Sequence, residues 1–158
     1  METAKDRMEM ALQQEAELQF SCFTNKMAWD LGSLLIRRAE EAGYNMTIDI
    51  RRGGQQLFHY SMEGTAPDND AWVAGKVRVV DQMHHSSFYV FNLLEDCGED
   101  IDTRLNLSHY AYRPMGGCFP LIVKNVGVVG TITVSGLPQE EDHAFCVEGI
   151  RAYLKSLE

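Results

Sequence analysis

The sequence predicts an α+β fold, with a mainly antiparallel sheet of about five strands flanked by helices. Two stretches, 46–62 and 119–135, contain paired β-rich runs that meet at short glycine-bearing turns, which is typical of hairpins. Apolar residues recur at helical spacing over 25–42 and again over 68–94. Hairpins joined by helices favour a layered α+β architecture over a parallel, doubly wound sheet.

Two helices are predicted in the first part of the chain. Residues 1–19 are polar and helix-prone, with a loosely apolar side. Residues 25–42 form the stronger pattern, because Met27, Leu31 and Leu35 share one helical face. Thr24 is suited to cap the start of this helix, and Gly43 supplies the left-handed residue that commonly ends one.

A hairpin and a long helix come next. Residues 46–50 alternate apolar and polar, and the Gly53-Gly54 pair turns the chain into a second strand over 56–62. After a loop over 63–69, the spacing predicts a single helix over 68–94. Its inward stripe includes His84 and Ser87, so both polar side chains are expected to be partly buried.

The rest of the chain predicts a second hairpin and a last helix. Pro138 is suited to the first position of that helix, and three acidic residues in the first turn complement its dipole. In chain order, the expected elements are an acidic break over 95–102, a short strand over 108–112, strands over 119–124 and 126–135, and a helix over 138–157.

Composition narrows the class of protein. The 158 residues suit a single domain, with 1–24 as a helical arm and 25–158 as the α+β core. The net charge of −9 disfavours nucleic acid and anionic membranes as partners. No apolar run has the length of a membrane span, and the four cysteines form no C-x-x-C pair. A cytoplasmic location with reduced thiols is therefore expected.

Several motifs carry a family resemblance. They are Gly116-Gly117-x-Phe119-Pro120, the run from Gly130 to Pro138, the Glu140–His143 helix start, Trp72 with Lys76, and His85-Ser86-Ser87. From about residue 25 onward the chain resembles an uncharacterised family close to the haem-degrading domain proteins, which are GlcG-like and HbpS-like. The resemblance implies a profilin-like α+β fold and assembly into homo-oligomers. For the relatives it also implies binding of haem or of another small ligand.

The candidate ligand-binding residues belong to three segments that are expected to meet beneath the long helix, at one end of the sheet. Glycines at a strand start permit a close ligand approach, although a β-bulge explains them equally well. A buried histidine more often forms a hydrogen bond with a backbone carbonyl than with a ligand. Arg113 is either an anion partner or a surface arginine. The candidates are His84, His85, Ser87, Arg113, Gly116, Gly117, Phe119, Glu141 and His143.

No complete catalytic or metal motif is present. Asp81 with His84, and Glu140 with His143, have the spacing of di-iron ligands, but the sheet-based fold lacks the facing glutamates of a four-helix bundle. We therefore expect no metal site and identify no catalytic residue. The absence of C-x-x-C-H leaves only non-covalent binding for haem, the cofactor candidate.

Three functions remain open on this basis. The first is a cytoplasmic, homo-oligomeric protein that binds a small ligand or serves as an accessory protein. The second is a haem-binding or haem-degrading protein. The third is a protein-interaction module of a cytosolic machine.

Overall fold

A computed structural model describes all residues, 1–158. It contains six helices and four strands. In chain order these are α1 (Ala4–Glu17), α2 (Asn25–Ala42), β1 (Thr47–Arg52), β2 (Gln55–Ser61), α3 (Pro67–Met83), α4 (Ser87–Cys97), α5 (Ile101–Leu105), β3 (Cys118–Val123), β4 (Gly127–Ser135) and α6 (Gln139–Ser156).

The caps predicted for α2 are present. The Thr24 hydroxyl accepts a hydrogen bond from the Met27 N–H at 3.1 Å. Gly43 follows the helix with φ of 72°, a left-handed conformation that costs glycine little. Both ends of α2 are therefore fixed by side chains and backbone within one turn of the helix.

The sheet is antiparallel throughout, and its strand order is β2-β1-β4-β3. The predicted α+β class is confirmed, but the predicted count of about five strands is wrong by one. Residues 108–112 form a turn instead, in which Tyr112 N–H donates to the Ser108 carbonyl at 2.9 Å. Arg113 N–H donates to the Gly75 carbonyl of α3 at 3.1 Å, so this segment is held to a helix and not to the sheet.

The single long helix predicted over 68–94 is two helices. His84 has φ of 56° and ends α3, and the Ser86 hydroxyl accepts the Tyr89 N–H at 3.1 Å to begin α4. Serine competes with helical hydrogen bonds in this way, which makes it a preferred N-cap. The short α5 begins within the acidic break, and the Asp100 side chain caps it by accepting the Thr103 N–H.

The helices cover both faces of the sheet. On one face α2 and α6 pack on Ile48, Ile50, Ile132 and Val134, which form the centre of the main core. On the other face α3 packs on β4, β3 and β1, with a small apolar cluster around Val73 and Val77. The arm helix α1 lies along α4. None of the helices has the length and apolar character needed to span a bilayer.

Candidate functional site

A cleft of about 380 Å³ opens where the first turns of α3 meet the β4–α6 turn and the loop before β3. This volume lies within the range of small-molecule sites. Trp72 forms part of its wall, and a buried lysine and a buried aspartate lie at its inner end. The lining residues are Asp68, Asn69, Trp72, Lys76, Met115, Ser135, Gly136, Leu137, Gln139 and Asp142.

The buried pair consists of Lys76 and Asp142, with side chains only 3% and 2% exposed. Lys76 Nζ donates to Asp142 Oδ2 at 3.0 Å and to the Val134 carbonyl at 3.1 Å. A charge removed from water is tolerated only when it is paired and hydrogen-bonded, and this ammonium group is both. The pair joins the middle of α3 to the first turn of α6 at the inner end of the cleft.

Asp142 also holds the turn that enters α6. Its Oδ1 accepts the Leu137 N–H at 3.0 Å, and its Oδ2 accepts the Gly136 N–H at 3.4 Å. Burial raises the pKa of the Asp142 carboxyl above its ordinary value, and the Lys76 ammonium and these N–H groups oppose that rise. The carboxylate is therefore both a partner of the lysine and a clamp on the turn.

Gly116 and Gly117 lie directly before β3, and both are in close contact with neighbouring atoms. A Cβ on Gly116 would lie 2.3 Å from the Gln139 carbonyl oxygen. A Cβ on Gly117 would lie 2.5 Å from the Val134 carbonyl oxygen and 2.6 Å from Lys76 Nζ. Gly117 also has φ of 131°, where side chains are rarely tolerated. The glycine pair therefore allows the strand to reach the buried lysine.

Ser87, the first residue of α4, binds the same strand. Its hydroxyl accepts the Cys118 N–H at 3.0 Å and lies 3.3 Å from the Cys118 carbonyl, to which it donates. Ser87 is fully buried, whereas the sequence predicted partial burial. Because it links α4 to the start of β3, Ser87 positions the strand behind the cleft and does not line the cleft itself.

Several sequence-predicted candidates lie away from the cleft. His84 is exposed, so the prediction that it is partly buried on the inward helix stripe is wrong. Its exposure results from α3 ending at this residue. His85 contacts Glu15 of the arm helix α1, with His85 Nδ1 lying 2.7 Å from Glu15 Oε2. Glu141 is exposed and lines a separate depression of about 460 Å³ between α2 and α6. Phe119 is 1% exposed and belongs to the core on the α2/α6 side.

Arg113 lies beside the cleft without lining it. Its guanidinium carbon is 4.5 Å from the centroid of the Trp72 ring, in cation–π contact. A Cβ on Gly75 would collide with the Arg113 side chain, so the glycine makes room for the arginine on α3. Arg113 therefore supports one wall of the cleft through Trp72.

His143 is buried between α6, α4 and the arm. Its ring stacks on Phe88 with centroids 4.2 Å apart, and its Nε2 is 2.7 Å from Gln14 Oε1, an acceptor, so Nε2 carries the proton. Nδ1 has no hydrogen-bond partner. Burial lowers the pKa of His143 to about 4, because a charged ring is poorly solvated there.

This pKa predicts an acid-sensitive contribution to stability. The unfolded chain takes up a proton near pH 6.5 and the folded chain only near about 4, so stability falls as pH drops between these values. Wild type should lose about 3 kcal/mol more than His143→Gln between pH 7 and pH 4. Urea unfolding at both pH values measures this difference. Equal losses in the two proteins would show that His143 is protonated in the fold.

Two functional features were missed by sequence reasoning. Lys76 and Asp142 are 66 residues apart, and no local pattern pairs them. A second polar group lies at the β2 edge, where His59 Nδ1 is 2.8 Å from Asp49 Oδ2 and Nε2 is 2.9 Å from Asp70 Oδ1. This group ties the first turn of α3 to the sheet and thereby positions the cleft wall. The alternation of polar residues along β1 and β2 is the sequence signal that could have revealed this polar group.

The main surface depressions of a single chain are poorly suited to haem. Haem iron in proteins takes an axial side chain such as histidine. His59 is hydrogen-bonded to other side chains through both ring nitrogens, whereas His85, His109 and His143 use one nitrogen each and do not line any of the main depressions. The remaining one, His84, lines a depression of about 370 Å³ that also contains the charged Arg51 and Asp81. An apolar haem face is absent there.

The fold and the site thus define the class of protein. It is a layered α+β chain with a ligand-sized cleft beside a buried ion pair. The family model described as haem degrading protein HbpS-like matches residues 23–151. The chain therefore belongs to the HbpS-like family.

Two relatives are called UPF0303 proteins, a name that assigns no activity. A UPF0303 protein of Streptomyces coelicolor is 47% identical over 142 residues, covering 90% of each chain. A UPF0303 protein of Acidobacterium capsulatum is 40% identical, covering 96% of this chain and 92% of the relative. These similarities extend over nearly the whole chain.

Solved structures share the fold. The Ybr137w protein is 27% identical with a TM-score of 0.90, covering 97% of this chain and 91% of that one. HbpS is 17% identical with a TM-score of 0.66, covering 86% and 92%. PduOC, solved as a haem complex, is 15% identical with a TM-score of 0.69, covering 83% and 94%. At such identities the last two show the fold alone.

Proposed function

We propose that this chain is a small-ligand-binding protein without a recognisable catalytic motif, and that its ligand occupies the cleft beside Trp72. The observation that carries the proposal is the combination of a cleft of about 380 Å³ with side chains that have hydrogen-bonding capacity left over. The Trp72 indole N–H and the Ser135 hydroxyl, both at the cleft, form no hydrogen bond within the chain. Polar groups converging on a concave surface favour a binding site.

The chemistry of the cleft favours a neutral, oxygen-bearing ligand. Two of its free groups, the Trp72 N–H and the Ser135 hydroxyl, can donate hydrogen bonds and are suited to carbonyl or hydroxyl oxygens. The Lys76 charge is already matched by Asp142, and the free carboxylate of Asp68 lies at the same cleft. Together with a net charge of −9, these features disfavour an anion.

The two tryptophans make the proposal testable. Trp29→Phe leaves Trp72 as the only indole, inside the cleft, and Trp72→Phe leaves only Trp29, which is 62% exposed on α2. A library of small neutral carbonyl and hydroxyl compounds should contain ligands that change the fluorescence of Trp29→Phe in a saturable manner. The same ligands should leave Trp72→Phe unchanged. Equal responses of both variants would place the ligand elsewhere.

Haem binding is the second candidate, supported by the family to which the chain belongs. His84 is the histidine that lines one of the main surface depressions, so it is the residue that we test as an axial ligand. Haemin belongs in the same screen, with His84→Ala as its control. A stoichiometric change in the haemin absorption band that is lost in His84→Ala would favour haem over the cleft ligand. A protein-interaction module is the third candidate.

We further propose that the chain is a homo-oligomer. Trp29 and Tyr60 are large side chains that are 62% and 47% exposed, and the Trp29 ring packs edge-on against Phe58 of the edge strand β2. Exposed apolar surface of this kind favours an interface. Phe88, another large aromatic residue, is buried in the core and contributes nothing to this surface.

Sedimentation tests the assembly. Wild type at micromolar concentration should sediment as a species larger than 17.9 kDa. A Trp29→Ser/Tyr60→Ser variant should shift toward the monomer, because it removes the exposed aromatic rings. Tyr110→Ser is a matched control, since Tyr110 is 85% exposed on a different loop. A wild-type protein that sediments only as a monomer would refute the proposal.

The arm and the core are proposed to form one unit in the cytoplasm. Glu15 of α1 accepts the Ser86 N–H at 2.8 Å, and Arg151 of α6 donates to Glu17 at 2.9 Å. These contacts support a single domain over 1–158, with 1–24 as its arm. All four cysteines are free, which supports a reducing compartment.

A further inference from the structure

Lys76 differs from every other lysine of this chain. The other four, Lys5, Lys26, Lys124 and Lys155, are exposed, whereas Lys76 is 3% exposed and lines the cleft. A compact amine in a desolvated site is the side chain that proteins use to condense with carbonyl compounds. The position of Lys76 therefore raises a chemical question that the binding proposal alone does not answer.

The surroundings of the amine hold it in a fixed position. Two of its three N–H groups are committed, to the Val134 carbonyl and to Asp142 Oδ2. The third forms no hydrogen bond within the chain. Residue 117 must be a glycine for the amine to fit, because a Cβ at this position would lie 2.6 Å from Lys76 Nζ. The carboxylate partner is in turn fixed by the Leu137 N–H.

We propose that Lys76 forms an imine with a small carbonyl compound bound in the cleft, with Asp142 as the proton carrier. This inference rests on the proposed function, because it takes the neutral carbonyl ligand of the cleft as the substrate. It adds a covalent step and a nucleophile to what would otherwise be reversible binding.

The step balances without any further reactant. The Lys76 ammonium transfers one proton to Asp142, and the free amine attacks the carbonyl carbon to give a carbinolamine. Asp142 returns the proton to the carbinolamine hydroxyl, which leaves as water. The products are a protonated imine on Nζ, a water molecule and the Asp142 carboxylate, so no oxidant or reductant is consumed.

The electrostatics of the buried pair are compatible with this sequence. The initial state is an ammonium beside a carboxylate, and the final state is an iminium beside the same carboxylate, so the buried charge is unchanged. The intermediate proton transfer is eased because burial raises the pKa of Asp142. The 3.0 Å separation of Nζ and Oδ2 permits direct transfer.

Reductive trapping on the wild-type protein tests the inference. Acetaldehyde, dihydroxyacetone and pyridoxal serve as probes, each with cyanoborohydride, followed by peptide mass mapping of all five lysines. At least one probe should modify Lys76 about tenfold faster than any exposed lysine, because a bound carbonyl has a high effective concentration beside the amine. In the urea-unfolded chain this preference should disappear.

The outcomes separate the two proposals. A probe that changes the fluorescence of Trp29→Phe but leaves Lys76 unmodified would overturn the imine and leave the binding site in place. If no probe or library compound changes that fluorescence, and only exposed lysines are modified, both proposals are overturned. If Lys76 is modified selectively, and only in the folded protein, this residue is established directly as the nucleophile.

Discussion

Replacing Lys76 by methionine is expected to destabilise the protein by about 3–5 kcal/mol, because it leaves the Asp142 carboxylate buried without its cation. The side chains of both partners are almost fully buried, at 3% and 2% exposed, so water cannot take over the role of the lysine. Urea unfolding at neutral pH measures the loss. The double variant Lys76→Met/Asp142→Asn should recover part of it, since the amide carries no charge.

Lys26→Met is the matched control for that substitution. Lys26 pairs with Asp30 one turn along α2, with side chains 72% and 43% exposed. Exposed pairs of this kind contribute roughly 0–1 kcal/mol. If Lys76→Met costs no more stability than Lys26→Met, the buried pair does not hold α3 to α6 at the inner end of the cleft.

Replacing Gly117 by alanine should destabilise the protein by roughly 2–6 kcal/mol, since backbone strain and overpacking each cost about 1–3 kcal/mol and both occur here. The φ of 131° is unfavourable for alanine. The new Cβ would also lie 2.5 Å from the Val134 carbonyl oxygen, a backbone atom of β4 that cannot move without disturbing the sheet. Thermal and urea unfolding measure the effect.

Gly43→Ala separates the two causes. Gly43 has φ of 72°, but a Cβ there has no neighbour within 4 Å. This variant should therefore show backbone strain alone, about 1–2 kcal/mol. A Gly117→Ala variant as stable as Gly43→Ala would mean that β3 and β4 adjust freely around residue 117. The closeness of the strand to Lys76 would then not be a constraint on the fold.

The sequence predicted the cleft only in part. The glycine pair at 116–117 and the β4–α6 turn were expected to lie together, and they do, through Gly116 N–H and Gln139 Oε1 at 2.8 Å. His84 was placed with them because helical spacing was extended through 84–86. Nothing in that spacing reveals that a histidine adopts φ of 56°. The left-handed residue depends on the competing cap at Ser86, which is a choice between two local structures of similar energy.

The sequence by itself determined α2 with both its caps, the two hairpins and the start of α6, because periodicity, turn residues and capping act over a few neighbouring positions. Only the tertiary structure decided that the Ala111 carbonyl of the 108–112 turn accepts a hydrogen bond from Arg78 of α3 and that Lys76 meets Asp142. These contacts join residues tens of positions apart. They depend on which faces of the sheet the helices cover, and a burial or pairing energy of that kind leaves no periodic trace in either segment alone.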